Sequence, residues 1–220
     1  MTLLIAAVAP VFALIFYIYF HDKHEKEPIG FLIASFILGA VVSIIITMIL
    51  YGVTTVFIPL KDKYSIVEQF IQAFIVVATV EEFSKYILLR YYAQPKVEFD
   101  EPYDGIMYSV MISLGFAATE NILYVIDGGI ETALLRSITA VPAHAVFGIL
   151  MGYYVGKAKF SKRRITMNLR GLMLAILFHG AYDFFLFINF IPGISIGAFV
   201  SLIIGVVLAR KAIKIHQNNS

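Results

Sequence analysis

Apolar runs recur along nearly the whole chain, at about 3 to 20, 29 to 51, 66 to 90, 104 to 126, 132 to 156, 168 to 190 and 193 to 209. Most are long enough to cross the hydrocarbon core of a bilayer as a helix. Polar stretches separate them, notably 21 to 28, 59 to 65, 94 to 102 and 157 to 164. A segment in lipid must satisfy its own backbone hydrogen bonds, and at these lengths only a helix does so. The pattern therefore predicts an all-α, polytopic transmembrane bundle of about seven spanning helices.

Composition agrees with that picture. Of 220 residues, 60% are hydrophobic and 15% charged, with a mean hydropathy of +0.86, far from soluble domains. No stretch remains that would fold as a separate soluble unit, so residues 1–220 are expected to form one membrane domain. The first run lacks a basic n-region and a cleavage site and reads as a retained helix. With no Cys, disulfides, thiolate ligands and a Cys nucleophile are excluded.

The 17 Lys and Arg distribute unevenly over the two sides that seven spans create. Lys23, Lys26, Arg90, Lys96, Lys157, Lys159, Lys162, Arg163, Arg164, Arg170, Arg210, Lys211 and Lys214 fall on one side. Only Lys61, Lys63 and Arg136 fall on the other, and Lys85 lies within a span. Positive charge collects in cytoplasmic loops, which places the N-terminus outside and the C-terminus in the cytoplasm. The loop from Lys157 to Arg164 is expected to meet anionic lipid headgroups, and no nucleic-acid partner is expected. Gly148, Gly152 and Gly156 make a small-residue ladder suited to close helix packing, and no internal repeat of the transporter kind is visible.

Ionisable groups inside the spans carry the functional signal, since each costs roughly 2.5 to 3.5 kcal/mol at the bilayer centre. They are Glu81, Glu82 and Lys85 in the third span, Glu120 in the fourth, His144 in the fifth, and His179 with Asp183 in the sixth. At a rise of about 1.5 Å per residue they fall at similar depth. Glu81 with Lys85, and His179 with Asp183, are i,i+4 pairs on common helix faces. Pro142 removes a hydrogen bond to the carbonyl of Ile138 and favours a kink beside His144. Glu68, Glu131 and Arg136 sit near span ends and read as interface residues.

Carboxylates and imidazoles at one depth can activate water, either with Glu as general base or through a divalent metal. Two His with carboxylates suit zinc. Hydrolysis inside the membrane is the leading reading. A proton-coupled transporter or channel, and a scaffold that senses pH through His, use the same residues. No His-Glu-x-x-His is present. Residues 193–197 match G-x-S-x-G, but they open an apolar helix after Pro192 instead of a strand-to-helix elbow.

Four ordered motifs add a resemblance: Glu81-Glu82-Phe83-Ser84-Lys85, Phe116-Ala117-Ala118-Thr119-Glu120-Asn121, Pro142-Ala143-His144 and His179-Gly180-Ala181-Tyr182-Asp183. Together with Glu27-Pro28 and Tyr103-Asp104-Gly105 they make the chain similar to the PrsW family of bacterial intramembrane proteases. That family is related to the CAAX prenyl proteases, which carry His where Glu120 stands. The resemblance implies that Glu81 and Glu82 activate water and that Lys85 and Asn121 support the site. It further implies that His144, His179, Glu120 and Asp183 hold a metal, expected to be zinc, or stabilise the oxyanion. Its implied partner is a single-pass membrane substrate, an anti-sigma factor cut at site 1 during envelope stress, and its implied location is the bacterial cell membrane.

Overall fold

The computed structural model describes residues 2–21 and 26–219. Lys23 and the rest of residues 22–25 in the first polar break lie outside them. Among the described residues no strand occurs. The helices are α1 (Thr2–His21), α2 (Ile29–Phe57), α3 (66–93), α4 (Asp104–Ile138), α5 (Ala140–Lys159), α6 (Arg164–Phe187) and α7 (Ile196–Asn219). Five segments are long and apolar enough to cross a membrane, and one of them, Asp104–Lys159, contains both α4 and α5. Helix α3 is not among the five; it carries Glu68, Glu81, Glu82, Lys85 and Arg90.

Local chemistry explains the helix boundaries. Pro28 presets the first turn of α2, and its carbonyl accepts from the Phe31 and Leu32 amides. Ser65 caps α3 by accepting from the Glu68 amide, at 3.3 Å. The Glu68 carboxylate in turn accepts from the Lys61 and Asp62 amides, at 2.7 and 2.9 Å. It holds the 58–65 connection over the helix start, a more specific task than the interface role its position implied. Wide π turns run from Ile71 to Ala78, directly before Glu81, and Thr79 Oγ1 donates to the Phe74 carbonyl within that stretch.

Helix α4 is the centre of the bundle, buried without interruption from Asp104 to Ala118. Small residues make this possible. A side chain at Gly152 would run into the backbone of Gly105, and one at Gly156 into that of Pro102. The ladder on α5 thus packs against α4, as its spacing predicted. On the opposite side Gly115 meets the α2 backbone at Phe36 and Ala40. Helices α6 and α7 pack outside α5, α1 lies along α4, and α3 wedges between α2, α4 and α6. The outward faces stay apolar: Phe12, Ile49, Met173 and Ile203 are all exposed.

The α4–α5 connection departs from the expected loop at 127 to 131. Gly129 adopts φ 69° and ψ −159°, a conformation glycine reaches at no steric cost, and the chain turns sharply there. Residues 130–138 are again helical, and a second break falls at Thr139 (φ −121°, ψ −78°). That break lies three residues before Pro142, where the missing amide predicts it. Arg136, sixteen residues beyond Glu120, would be roughly 24 Å away along a straight helix. Instead it reaches back to bond Glu120, at 2.7 Å, so the segment doubles back into the bundle.

Candidate active site

A cavity of about 1050 Å³ is lined by residues of α2, α3, α4, α5 and α6. It extends from Glu81, Glu120, His144, His179 and Asp183 to Ile58, Lys61 and Phe187 at one end of the bundle. That end carries Lys61 and Arg136, two of the few basic residues assigned to the less positive side. The band of buried ionisable groups predicted from depth alone is thus one contiguous cluster.

The twin glutamates of α3 have different surroundings. Glu82 is fully buried and does not line the cavity. Its Oε1 lies 2.7 Å from Lys85 Nζ and 2.8 Å from His179 Nδ1. Glu81 lines the cavity, and its Oε1 accepts from the Tyr51 hydroxyl at 2.8 Å. Its Oε2 lies 3.7 Å from Lys85 Nζ and 3.9 Å from His179 Nε2, and among the described residues no hydrogen-bond donor reaches it.

Lys85 joins α3 to α5. Its ammonium also lies 3.2 Å from His144 Nδ1 and 4.2 Å from the centre of the Phe116 ring. The other ring nitrogen of His144, Nε2, is 2.9 Å from Glu120 Oε2. That oxygen also accepts from Arg136, whose Nε donates to Asn121 Oδ1 at 2.7 Å. Asn121 completes the link by donating to the Ala7 carbonyl of α1, also at 2.7 Å. It supports Arg136 and does not reach the Glu81–Glu82 pair through any hydrogen bond described. His179 has a carboxylate on each ring nitrogen, with Asp183 3.2 Å from Nε2, and stacks on Phe147 at 4.9 Å. Both i,i+4 pairs are therefore formed, and they meet in one network.

One donor atom each from Glu81, Glu120 and His144 lie within 4.8 Å of one another. Two carboxylates and one imidazole, with a cavity on the remaining side, match the three-ligand pattern of catalytic metal sites. The buried Glu81 Oε2, lacking a donor, fits a position that a cation satisfies. Of the four residues the resemblance implied as ligands, Glu120 and His144 belong to this group. Glu81 completes it, while His179 and Asp183 pair with each other beside it.

Residues 27–209 match the family described as PrsW family intramembrane metalloprotease. The chain belongs to that family. It is 43% identical over 190 residues to Protease PrsW of Oceanobacillus iheyensis, covering 84% of this chain and 83% of the relative. Protease PrsW of Bacillus subtilis is 39% identical over 184 residues, with coverage of 82% and 81%. That of Clostridioides difficile is 32% identical over 200 residues, with coverage of 86% and 80%. No solved structure matches the chain. As a PrsW family member the protein is a bacterial, multi-pass membrane peptidase.

Two residues of the cluster escape a reading of the sequence alone. Arg136 was read as an interface residue, yet it lines the cavity with 15% of its side chain exposed. The Gly128-Gly129 pair ahead of it was the available sign of a reversal. Tyr51 lies in an apolar run, and its only sign there is the four-residue spacing from Ser43 and Thr47.

Proposed function

We propose that the chain is an intramembrane endopeptidase that cuts a single-pass anti-sigma factor near its extracytoplasmic side, as the first step of envelope-stress signalling. The observation that carries the reading is the meeting of Glu81, Glu120 and His144 in a cavity that extends to the end of the bundle poor in Lys and Arg. The positive-inside bias makes that end extracytoplasmic. The anti-sigma identity of the substrate rests on the family resemblance.

Zinc suits the Glu81, Glu120 and His144 donor set, and when bound it supplies an acidified water and a polarised carbonyl. Glu81, the glutamate of the pair that lines the cavity, would hold the cation through Oε2, and the proton of the acidified water would leave through the cavity. Glu82 remains behind it, neutralised by Lys85, and fixes His179 through Nδ1. Asp183 and the Phe147 ring hold the same imidazole from its other sides. Only the Nε2 side of His179 faces the cavity, and it would have to turn its proton from Asp183 to the scissile group to stabilise the negative charge that develops there.

Cleavage of a single-pass anti-sigma substrate in proteoliposomes tests the reading, with wild type compared with Glu81→Gln, Glu82→Gln, His144→Ala and His179→Ala. Turnover lost in Glu81→Gln and in both His variants, with the fold retained, supports it. Full turnover in Glu81→Gln overturns the assignment of Glu81 to the reactive centre.

A further inference from the structure

Ser43, Thr47 and Tyr51 recur every four residues and form a stripe on one face of α2, whose other polar residues are Ser35, Thr54 and Thr55. The three residues of the stripe address α3. Ser43 Oγ lies 2.6 Å from Ser84 Oγ, Thr47 Oγ1 donates to the same atom at 3.0 Å, and Ser84 Oγ donates to the Glu81 carbonyl at 2.8 Å. One turn further along, the Tyr51 hydroxyl donates to Glu81 Oε1 at 2.8 Å. The stripe thus fixes the register of α2 on α3 at the residue where the glutamate faces the cavity. No other donor is within hydrogen-bonding distance of the Glu81 carboxylate among the described residues.

From this geometry we propose that Tyr51 is a positioning residue for the reaction. Its hydroxyl occupies Glu81 Oε1 and so sets the rotation of the carboxylate, leaving Oε2 directed for the cation. This rests on the assignment of Glu81 to the reactive centre made above. Groups that orient a carboxylate ligand in this way change metal affinity or activity by about 10- to 100-fold when removed. The Ser43–Thr47–Ser84 contacts support Tyr51 by holding the helices in register, without touching the carboxylate.

The test compares wild type, Tyr51→Phe, Thr47→Val and Glu81→Gln, purified in detergent, for zinc dissociation constant by chelator competition, thermal midpoint, and kcat and KM on the reconstituted substrate. Tyr51→Phe is expected to lose about 10- to 100-fold in kcat or in zinc affinity, with KM unchanged and a near-normal midpoint. Thr47→Val is expected to lower the midpoint with less than a threefold change in zinc affinity. Equal losses of zinc affinity in Tyr51→Phe and Thr47→Val would mean general packing and overturn the proposal. So would a Tyr51→Phe protein with wild-type kcat and zinc affinity beside an inactive Glu81→Gln. A fully active Glu81→Gln would instead remove the underlying assignment of Glu81.

Discussion

Replacing Lys85 by Met separates the scaffold of the cluster from its reactive face. The methionine side chain keeps most of the aliphatic length and removes the ammonium. That ammonium is 2% exposed and lies 2.7 Å from a Glu82 carboxylate that is fully buried. Removing one partner of a buried ion pair leaves an uncompensated charge and costs about 3 to 5 kcal/mol. A folding constant then falls by roughly two to three and a half powers of ten. Contact with the Phe116 ring and with His144 Nδ1 is lost in the same step, so the upper part of that range is expected.

The assay is unfolding in mixed detergent micelles followed by near-ultraviolet circular dichroism, with the cycle Lys85→Met, Glu82→Gln and the double variant. If Lys85 neutralises Glu82, the double variant is more stable than the two separate losses predict, by about 1 to 3 kcal/mol. A Lys85→Met protein within about 0.5 kcal/mol of wild type, the range typical of surface substitutions, would refute the argument. Strict additivity in the cycle would refute it as well.

Three further outcomes follow. Purified protein should bind about one equivalent of zinc, with binding lost in His144→Ala and Glu120→Gln but kept in Asp183→Asn, as read by metal analysis after dialysis; loss in Asp183→Asn would return that residue to the ligand set. Arg136→Lys, which cannot span Glu120 and Asn121 as a planar fork does, should lower kcat/KM about tenfold, and an unchanged value would make the 130–138 segment a bystander. Because the chain has no Cys, Lys61→Cys and Lys162→Cys report topology directly: an impermeant maleimide should label the first in intact cells and the second only after permeabilisation.

The sequence carried the helices and the chemistry further than it carried their meeting. The apolar runs located the helices because lipid leaves a segment of that length no other structure, and depth alone grouped Glu81, Glu120, His144 and His179. The outcome at Gly129 was not visible in the same way. A polar pair of glycines reads as a loop, and only tertiary contact shows that Arg136 returns to Glu120. Tyr51 is hidden for a related reason: an aromatic in an apolar helix looks like packing until the register of α2 on α3, thirty residues away, is known. Choosing Glu81 over His179 as the third donor likewise depends on the distances between helices.

Helix geometry explains why the paired glutamates serve different ends. Successive residues on an α-helix point about 100° apart, so Glu81 and Glu82 cannot address one cavity together. The turn that aims Glu82 at Lys85 and His179 aims Glu81 at Tyr51 and the open space. Ser84, one turn on, keeps that orientation by its bonds to α2. Glu82→Gln should therefore register first in unfolding and Glu81→Gln first in turnover. The side chains are alike, and the difference lies in which neighbour each one meets.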